Sequence, residues 1–127
     1  MTRRHRAKSI LIIEDEAEIR RFAQRVLDLE GYRVLQAGDG EEGLKLAKSN
    51  PDLCLVLLDM RLPCLDGWAV LSNLKRDPEL SSIPVVVFSA SAAERHQERA
   101  LGMGAASYLV KPLDAASLRQ TVATTIH

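Results

Sequence analysis

The chain is 127 residues long, 46% apolar and 27% charged, and its 17 basic residues balance its 17 acidic ones. That length suits one domain with a core of its own, without metal or disulfide staples, and the cancelled charge gives no argument for a polyanionic partner such as nucleic acid. The longest apolar runs, about six residues, fall far short of the roughly 20 a membrane span needs, and the polar N-terminus lacks a signal-peptide core; a soluble, cytoplasmic protein with no membrane partner is expected.

The elements alternate along the chain. "MTRRHRAK" (1–8) reads as a flexible basic tail in front of a single domain over 9–126. "SILII" (9–13) is the first strand. Residues 17–30 then place Ile19, Phe22, Ala23, Val26 and Leu27 on one helical stripe, which Gly31 stops. "YRVLQA" (32–37) is the second strand. Asp39 with Glu42 forms a capping box that opens a helix through about Lys48, with Leu44 and Ala47 inward and Asn50-Pro51 at its end. "LCLVLL" (53–58) is the third strand, and Trp68, Leu71 and Leu74 mark a helix closing near Asp77-Pro78. "PVVVF" (84–88) precedes a polar helix over about 93–103, in which only Ala93, Ala100 and Leu101 turn inward. "SYLV" (107–110) leads to a last helix capped by Asp114 and carrying Leu118, Val122 and Ile126. Cys54 and Cys64 read as free thiols, since neither a metal site nor a disulfide framework fits their spacing.

Strands apolar at nearly every position are covered on both faces, which marks a parallel sheet between helix layers. Five βα units with right-handed crossovers give an α/β, flavodoxin-like (βα)5 doubly wound sheet of strand order 2-1-3-4-5. In such sheets chemistry collects at the carboxyl ends of the strands, at the switch point between strands 1 and 3.

Polar residues stand at those ends. Strand 1 ends in Glu14, Asp15 and Glu16, strand 3 in Asp59, strand 4 in Ser89 and strand 5 in Lys111. Carboxylates about 4 Å apart repel by roughly 4 kcal/mol at an effective dielectric of about 20, so such a crevice calls for a cation. Hard oxygen ligands with room to spare suit Mg²⁺, which completes its shell with water and phosphate oxygens. The Ser89 hydroxyl and the Lys111 ammonium would serve the remaining oxygens of a phosphoryl group, which makes the set phosphoryl-transfer equipment. The plainer readings are a loop acid at Asp59, a strand exit at Lys111-Pro112, and a helix cap at Glu16.

In "ILIIEDE", "LLDMRLPCLDG", "VVVFSAS" and "SYLVKP", in that order and at those separations, the chain from about Ser9 to Ile126 resembles a response regulator receiver domain of two-component signalling. The resemblance implies a signalling domain rather than an enzyme with its own substrate, one that catalyses its own phosphoryl transfer and dephosphorylation. By that resemblance Asp59 is the phosphoacceptor and a histidine kinase or histidine phosphotransfer protein the donor. Glu14, Asp15, Asp59 and the Arg61 backbone carbonyl would hold Mg²⁺ (or Mn²⁺), and Ser89 and Lys111 would bind phosphoryl oxygens. Ser89 with Tyr108 would form the switch, Tyr108 turning inward as Ser89 is drawn to the phosphate and reshaping the face of helix 4, strand 5 and helix 5. Lys111-Pro112 is the candidate cis bond.

The sequence departs from the family at several points. Glu14 stands where Asp is usual, and its extra methylene favours a contact through water. Ser89 replaces the commoner Thr. Arg61 and Ser91 occupy positions that flank the path of hydrolytic water, so phosphoryl lifetime is where this chain would differ. A haloacid-dehalogenase-type phosphatase would need an Asp where Arg61 stands, and a nucleotide binder would need a Gly- or Ser-rich loop in place of "EDEAE". A degenerate receiver acting as a phosphorylation-independent docking module would lack the acid, hydroxyl or lysine, and all three are present. The downstream target stays open, as does the choice between a stand-alone receiver and part of a larger regulator. A monomer, or a weak homodimer through the helix 4, strand 5, helix 5 face, is expected.

Overall fold

A computed structural model describes residues 8–126; residues 1–7 and 127, and with them the expected flexible tail apart from Lys8, lie outside the described residues. Five strands, β1 (Ser9–Ile13), β2 (Arg33–Ala37), β3 (Leu53–Asp59), β4 (Val85–Ser89) and β5 (Ser107–Val110), alternate with five helices, α1 (Ala17–Leu29), α2 (Gly40–Ser49), α3 (Gly67–Arg76), α4 (Glu94–Gly102) and α5 (Ala115–Ile126). Every pairing is parallel and the order is β2-β1-β3-β4-β5, the flavodoxin-like arrangement expected from the sequence.

Alternation along the strands builds two cores. Leu11, Ile13, Val56, Leu58, Val85 and Val87 pack under α2, α3 and α4, against Ala47, Val70, Leu71, Leu74 and Ala100. Ile10, Ile12, Leu55, Leu57, Val86 and Phe88 point the other way, against Ala23, Val26 and Leu27 of α1 and Leu118 and Val122 of α5. The strands read as unbroken apolar runs because both of their faces are dry.

The helix ends follow local chemistry. Asp39 accepts from the Glu42 N–H at 2.8 Å, and the Glu42 carboxylate reaches back to the Gly38 N–H at 2.9 Å, one residue earlier than the usual reciprocal cap. Asp66 caps α3 through the Ala69 N–H at 2.9 Å, and Asp114 caps α5 through the Ser117 N–H at 2.7 Å. Gly31, at φ +90°, closes α1 in the left-handed region, and the Tyr32 N–H turns back to the Leu27 carbonyl. That bond holds Tyr32 outside β2. Glu16 takes the N-cap position of α1 with no side-chain bond, contrary to the helix-cap reading of that acid. The Glu16 N–H donates to the Glu14 carboxylate at 3.0 Å.

β3 and β4 each run one residue further than their apolar stretches, to Asp59 and Ser89. The ladder continues across them: Asp59 pairs with Phe88, the Met60 N–H donates to the Phe88 carbonyl at 3.2 Å, and the Lys111 N–H donates to the Ser89 carbonyl at 2.8 Å. The polar ends are therefore held as rigidly as the strands.

Gly67, the first residue of α3, lies against that end of β3. A Cβ there would stand 2.3 Å from the Met60 Cα and 2.6 Å from the Asp59 carbonyl oxygen, both backbone atoms that cannot yield, whereas a Cβ on Gly102 would meet nothing within 4 Å. Gly67→Ala should lower the urea unfolding free energy by at least about 2 kcal/mol through overpacking, while Gly102→Ala in α4 should leave it unchanged or raise it by up to about 1 kcal/mol. Equal losses at the two positions would contradict this packing.

Candidate functional site

Four of the five strands deliver a polar residue to one edge of the sheet. Glu14 follows β1 directly, Asp59 and Ser89 end β3 and β4, and Lys111 follows β5. Glu14 is fully buried and Asp59 is 1% exposed, so neither charge is met by bulk water. Lys111 lies between them, its Nζ 3.2 Å from Asp59 Oδ2 and 3.1 Å from Glu14 Oε1, and 5.4 Å from the centre of the Phe88 ring. Lys111 donates a hydrogen bond to Asp59 and pairs ionically with Glu14 Oε1, an oxygen that is buried with no other partner among the described residues. The other Asp59 oxygen accepts from the Arg61 N–H at 3.1 Å.

Burial sets the electrostatics. Desolvation pushes the Glu14 carboxyl up to about 7, with the nearby Asp59 charge adding to it, against the Glu16 N–H and Lys111, which stabilise the ionised form. Burial alone would lower Lys111, yet Glu14 and Asp59 hold its ammonium above its ordinary value. One lysine serves two buried acids, and the exposed Asp15 brings a third.

Glu14, Asp15 and Asp59 each offer an oxygen within 4.8 Å of the others'. Glu14 Oε1, which accepts no counted hydrogen bond and has only the shared Lys111 ammonium beside it, adds a hard donor, and among the described residues the Arg61 carbonyl accepts no hydrogen bond. Such a set fits a small divalent cation that keeps several waters, Mg²⁺ above all.

The hydroxyl side of the site faces the other way. Ser89 shares the parity of Val85 and Val87, the α2, α3 and α4 face, and its Oγ accepts from the Ser91 N–H at 3.1 Å. The Ser91 hydroxyl lies 2.7 Å from His96 Nδ1 and accepts from the Ala93 N–H at 3.2 Å, while the Tyr108 hydroxyl donates to the Ser91 carbonyl at 2.9 Å. Tyr108 is thus half-buried against the core with its hydroxyl on the β4–α4 loop. The Ser91 side chain is directed at α4, away from the acids, whereas the Arg61 side chain is exposed beside Asp59. The Lys111-Pro112 bond is cis.

Several participants leave no signal in the sequence. Trp68 at the start of α3 holds Arg99 of α4 with its guanidinium carbon 4.1 Å from the indole centre, and the His96 ring centre is 6.2 Å away. Arg20 of α1 donates to the Glu14 carbonyl at 2.7 Å. Cys64, in the loop after Asp59, has φ +67° and centres a tight turn closed by the Leu65 N–H to the Pro63 carbonyl at 2.7 Å. Each depends on a fold-level approach or a local turn that spacing alone does not announce.

The folded protein keeps a proton on Glu14 that the unfolded chain releases near pH 4.5, so this group's contribution to stability falls as pH rises from about 4.5 to about 7 and is level above that. In EDTA, the urea unfolding free energy of wild type relative to Glu14→Gln should decline across that window by as much as about 3 kcal/mol. A pH-independent difference would refute the assignment.

Comparison with known proteins places the chain in a family. The profile described as response regulator receiver domain matches residues 10–123. The chain is 36% identical over 116 residues to the probable transcriptional regulator ycf27 of Porphyridium aerugineum, covering 91% of this chain and 46% of that protein. It is 39% identical over 106 residues to the DNA-binding dual master transcriptional regulator RpaA of Synechocystis sp., covering 83% and 43%. It therefore spans about half the length of the curated relatives it matches. The crystal structure of a response regulator receiver domain protein from Clostridium thermocellum superposes with a TM-score of 0.86 at 28% identity, covering 94% of each chain. Among the described residues no helix is long and apolar enough to cross a membrane.

Proposed function

The chain belongs to the response regulator receiver domains, and from that membership we propose that Asp59 accepts a phosphoryl group from a phosphohistidine of a histidine kinase or histidine phosphotransfer protein. The observation that carries the reading is the pair of buried acids, Glu14 and Asp59, sharing the single ammonium of Lys111. Two-component signalling and a kinase partner are general to the family.

An Asp59 carboxylate oxygen attacks phosphorus. The new P–O bond forms as the P–N bond breaks, and the electron pair returns to the imidazole nitrogen. Glu14, Asp15, Asp59 and the Arg61 carbonyl would hold Mg²⁺, which when bound offsets charge on the phosphoryl oxygens. The Arg61 N–H fixes the Asp59 carboxylate, and Lys111, already 3.2 Å from Asp59, pairs with a phosphoryl oxygen. Ser89 keeps its bond from the Ser91 N–H and donates its own proton to another. Of the two residues assigned to phosphoryl lifetime, Arg61 has an exposed side chain two positions after Asp59, and Ser91 acts through the β4–α4 loop it holds together.

Phosphorylation turns one negative charge into roughly two, with three strong acceptor oxygens. Pulling Ser89 and Lys111 towards those oxygens loads the Ser91 turn, to which both Tyr108 and His96 are bonded, and so reaches α4. That helix has no side-chain cap and only Ala100 fully buried, so it moves at low cost. Leu101 and Val110, exposed on α4 and β5, offer an apolar surface to a downstream target. The reading places the protein in the cytoplasm as a signalling domain that catalyses its own phosphorylation and dephosphorylation.

Intact mass after incubation with acetyl phosphate and Mg²⁺ tests the chemistry: one added phosphoryl group, about 80 Da, is expected for wild type and none for Asp59→Asn or in EDTA. Absence of the adduct together with absence of Mg²⁺ binding would favour a phosphorylation-independent docking module. The switch has its own readout, because Trp68 is the single tryptophan and touches α4. Its emission should change on phosphorylation of wild type and stay near the unphosphorylated value in phosphorylated Ser89→Ala. An equal change in both would remove Ser89 from the switch.

A further inference from the structure

Arg20 lies at the end of the first turn of α1, just beyond the acidic loop, and is half-buried. Three carboxylates crowd the nearby strand end, yet among the described residues Arg20 forms no ion pair with any of them. Its Nη1 donates to the main-chain carbonyl of Glu14 at 2.7 Å and its Nε donates to the Gln36 amide oxygen of β2 at 3.0 Å. Gln36 in turn donates to Gln24 of α1. Gly38 adjoins the same guanidinium: a Cβ there would stand 3.5 Å from Nη1.

The carbonyl that Arg20 holds belongs to the peptide joining Glu14 to Asp15. That unit is planar, so fixing its oxygen fixes the Cα atoms at both ends, and both acid side chains spring from those atoms. The Glu14 N–H is already bonded to the Ala37 carbonyl at 3.0 Å, so the guanidinium holds the remaining side of the acidic turn. The bond is charge-assisted and forked, and its second prong is anchored on a different strand. The Glu16 N–H holds the Glu14 carboxylate from within the turn, and Arg20 adds a hold on the peptide between the two acids from outside it.

We propose that Arg20 is a positioning residue for divalent-cation binding, acting through the Glu14–Asp15 peptide and touching neither cation nor phosphoryl group. This rests on the receiver reading of the acidic site. Outer partners of metal ligands commonly contribute 10- to 100-fold in affinity, and a clamp on the backbone between two ligands belongs to that class. Gln36 supports the clamp from β2. Lysine at position 20 would keep the charge and lose the fork.

The test is isothermal titration with MgCl₂ of wild type, Arg20→Gln, Arg20→Lys and Gln36→Ala, with Arg25→Gln, an exposed arginine of the same helix, as the charge control. Urea unfolding in EDTA and the rate of Asp59 phosphorylation by acetyl phosphate are measured on each. Arg20→Gln should weaken Mg²⁺ binding about tenfold, with Arg20→Lys and Gln36→Ala showing smaller losses and Arg25→Gln none. At saturating Mg²⁺ the phosphorylation rates should return to within about twofold of wild type, since the clamp acts on assembly of the site. If Arg20→Gln does not fold, Arg20→Lys and Gln36→Ala decide the matter. Wild-type Mg²⁺ affinity in folded variants, with only a stability loss, would overturn the proposal and leave the receiver reading standing. No Mg²⁺ binding by wild type would overturn both.

Discussion

Two buried carboxylates and one ammonium set the terms for the rest of the molecule. Glu14 and Asp59 approach Lys111 at 3.1 and 3.2 Å in a place where neither acid is solvated. Coulomb attraction to one cation does not offset the desolvation of two anions, and the molecule answers by pushing Glu14 towards its neutral form. The site is thus incomplete in its own charge, which is the condition under which a divalent cation and a phosphoryl group acquire something to bind. A fully compensated cluster would be more stable and would have no reason to respond.

The position of that cluster follows from sheet topology. A parallel sheet brings its strand ends to a common edge, and each strand here ends with its ladder bonds intact, so side chains distant in sequence meet with the precision of secondary structure. The response is then passed to a softer part. Ser89, Ser91, Tyr108 and His96 form a connected polar chain across the β4–α4 loop, and it ends on the helix with the least burial in the fold.

The layout of strands, helices and most of the candidate site was legible because it rests on signals that are local or periodic. Runs of four to six residues bounded by turn formers marked the strands, caps such as Asp39 and Asp114 sit where their own backbone chemistry puts them, and the acids interrupt apolar runs at the ends. What was hidden depends on approach between elements. Gly67 reads as a turn glycine until its distance from the Asp59 backbone is known. Glu16 reads as a cap and does take the N-cap position, but its carboxylate makes no cap bond to the first turn. Arg20 is one of several arginines on α1, and nothing in the order of residues says that it reaches back to a carbonyl while Arg25 faces solvent. Ser91 and His96, five residues apart, meet only because the loop between them folds into a capping turn.

The division of the interior into two cores has a consequence for how such a chain can change. β1, β3 and β4 send alternate side chains to opposite layers, and no buried residue belongs to both. The sheet is a party wall. Repacking under α2, α3 and α4 shares no contact with repacking under α1 and α5, and changes without shared partners combine additively. The layer that bears Trp68, Arg99 and Tyr108 can therefore be rebuilt through many substitutions to suit a different listener, while the opposite layer goes on presenting the acids and the lysine in the same register. Output and chemistry meet at a few positions only, Ser89 and Gly67 among them, which stand on the layer that changes yet touch the site itself.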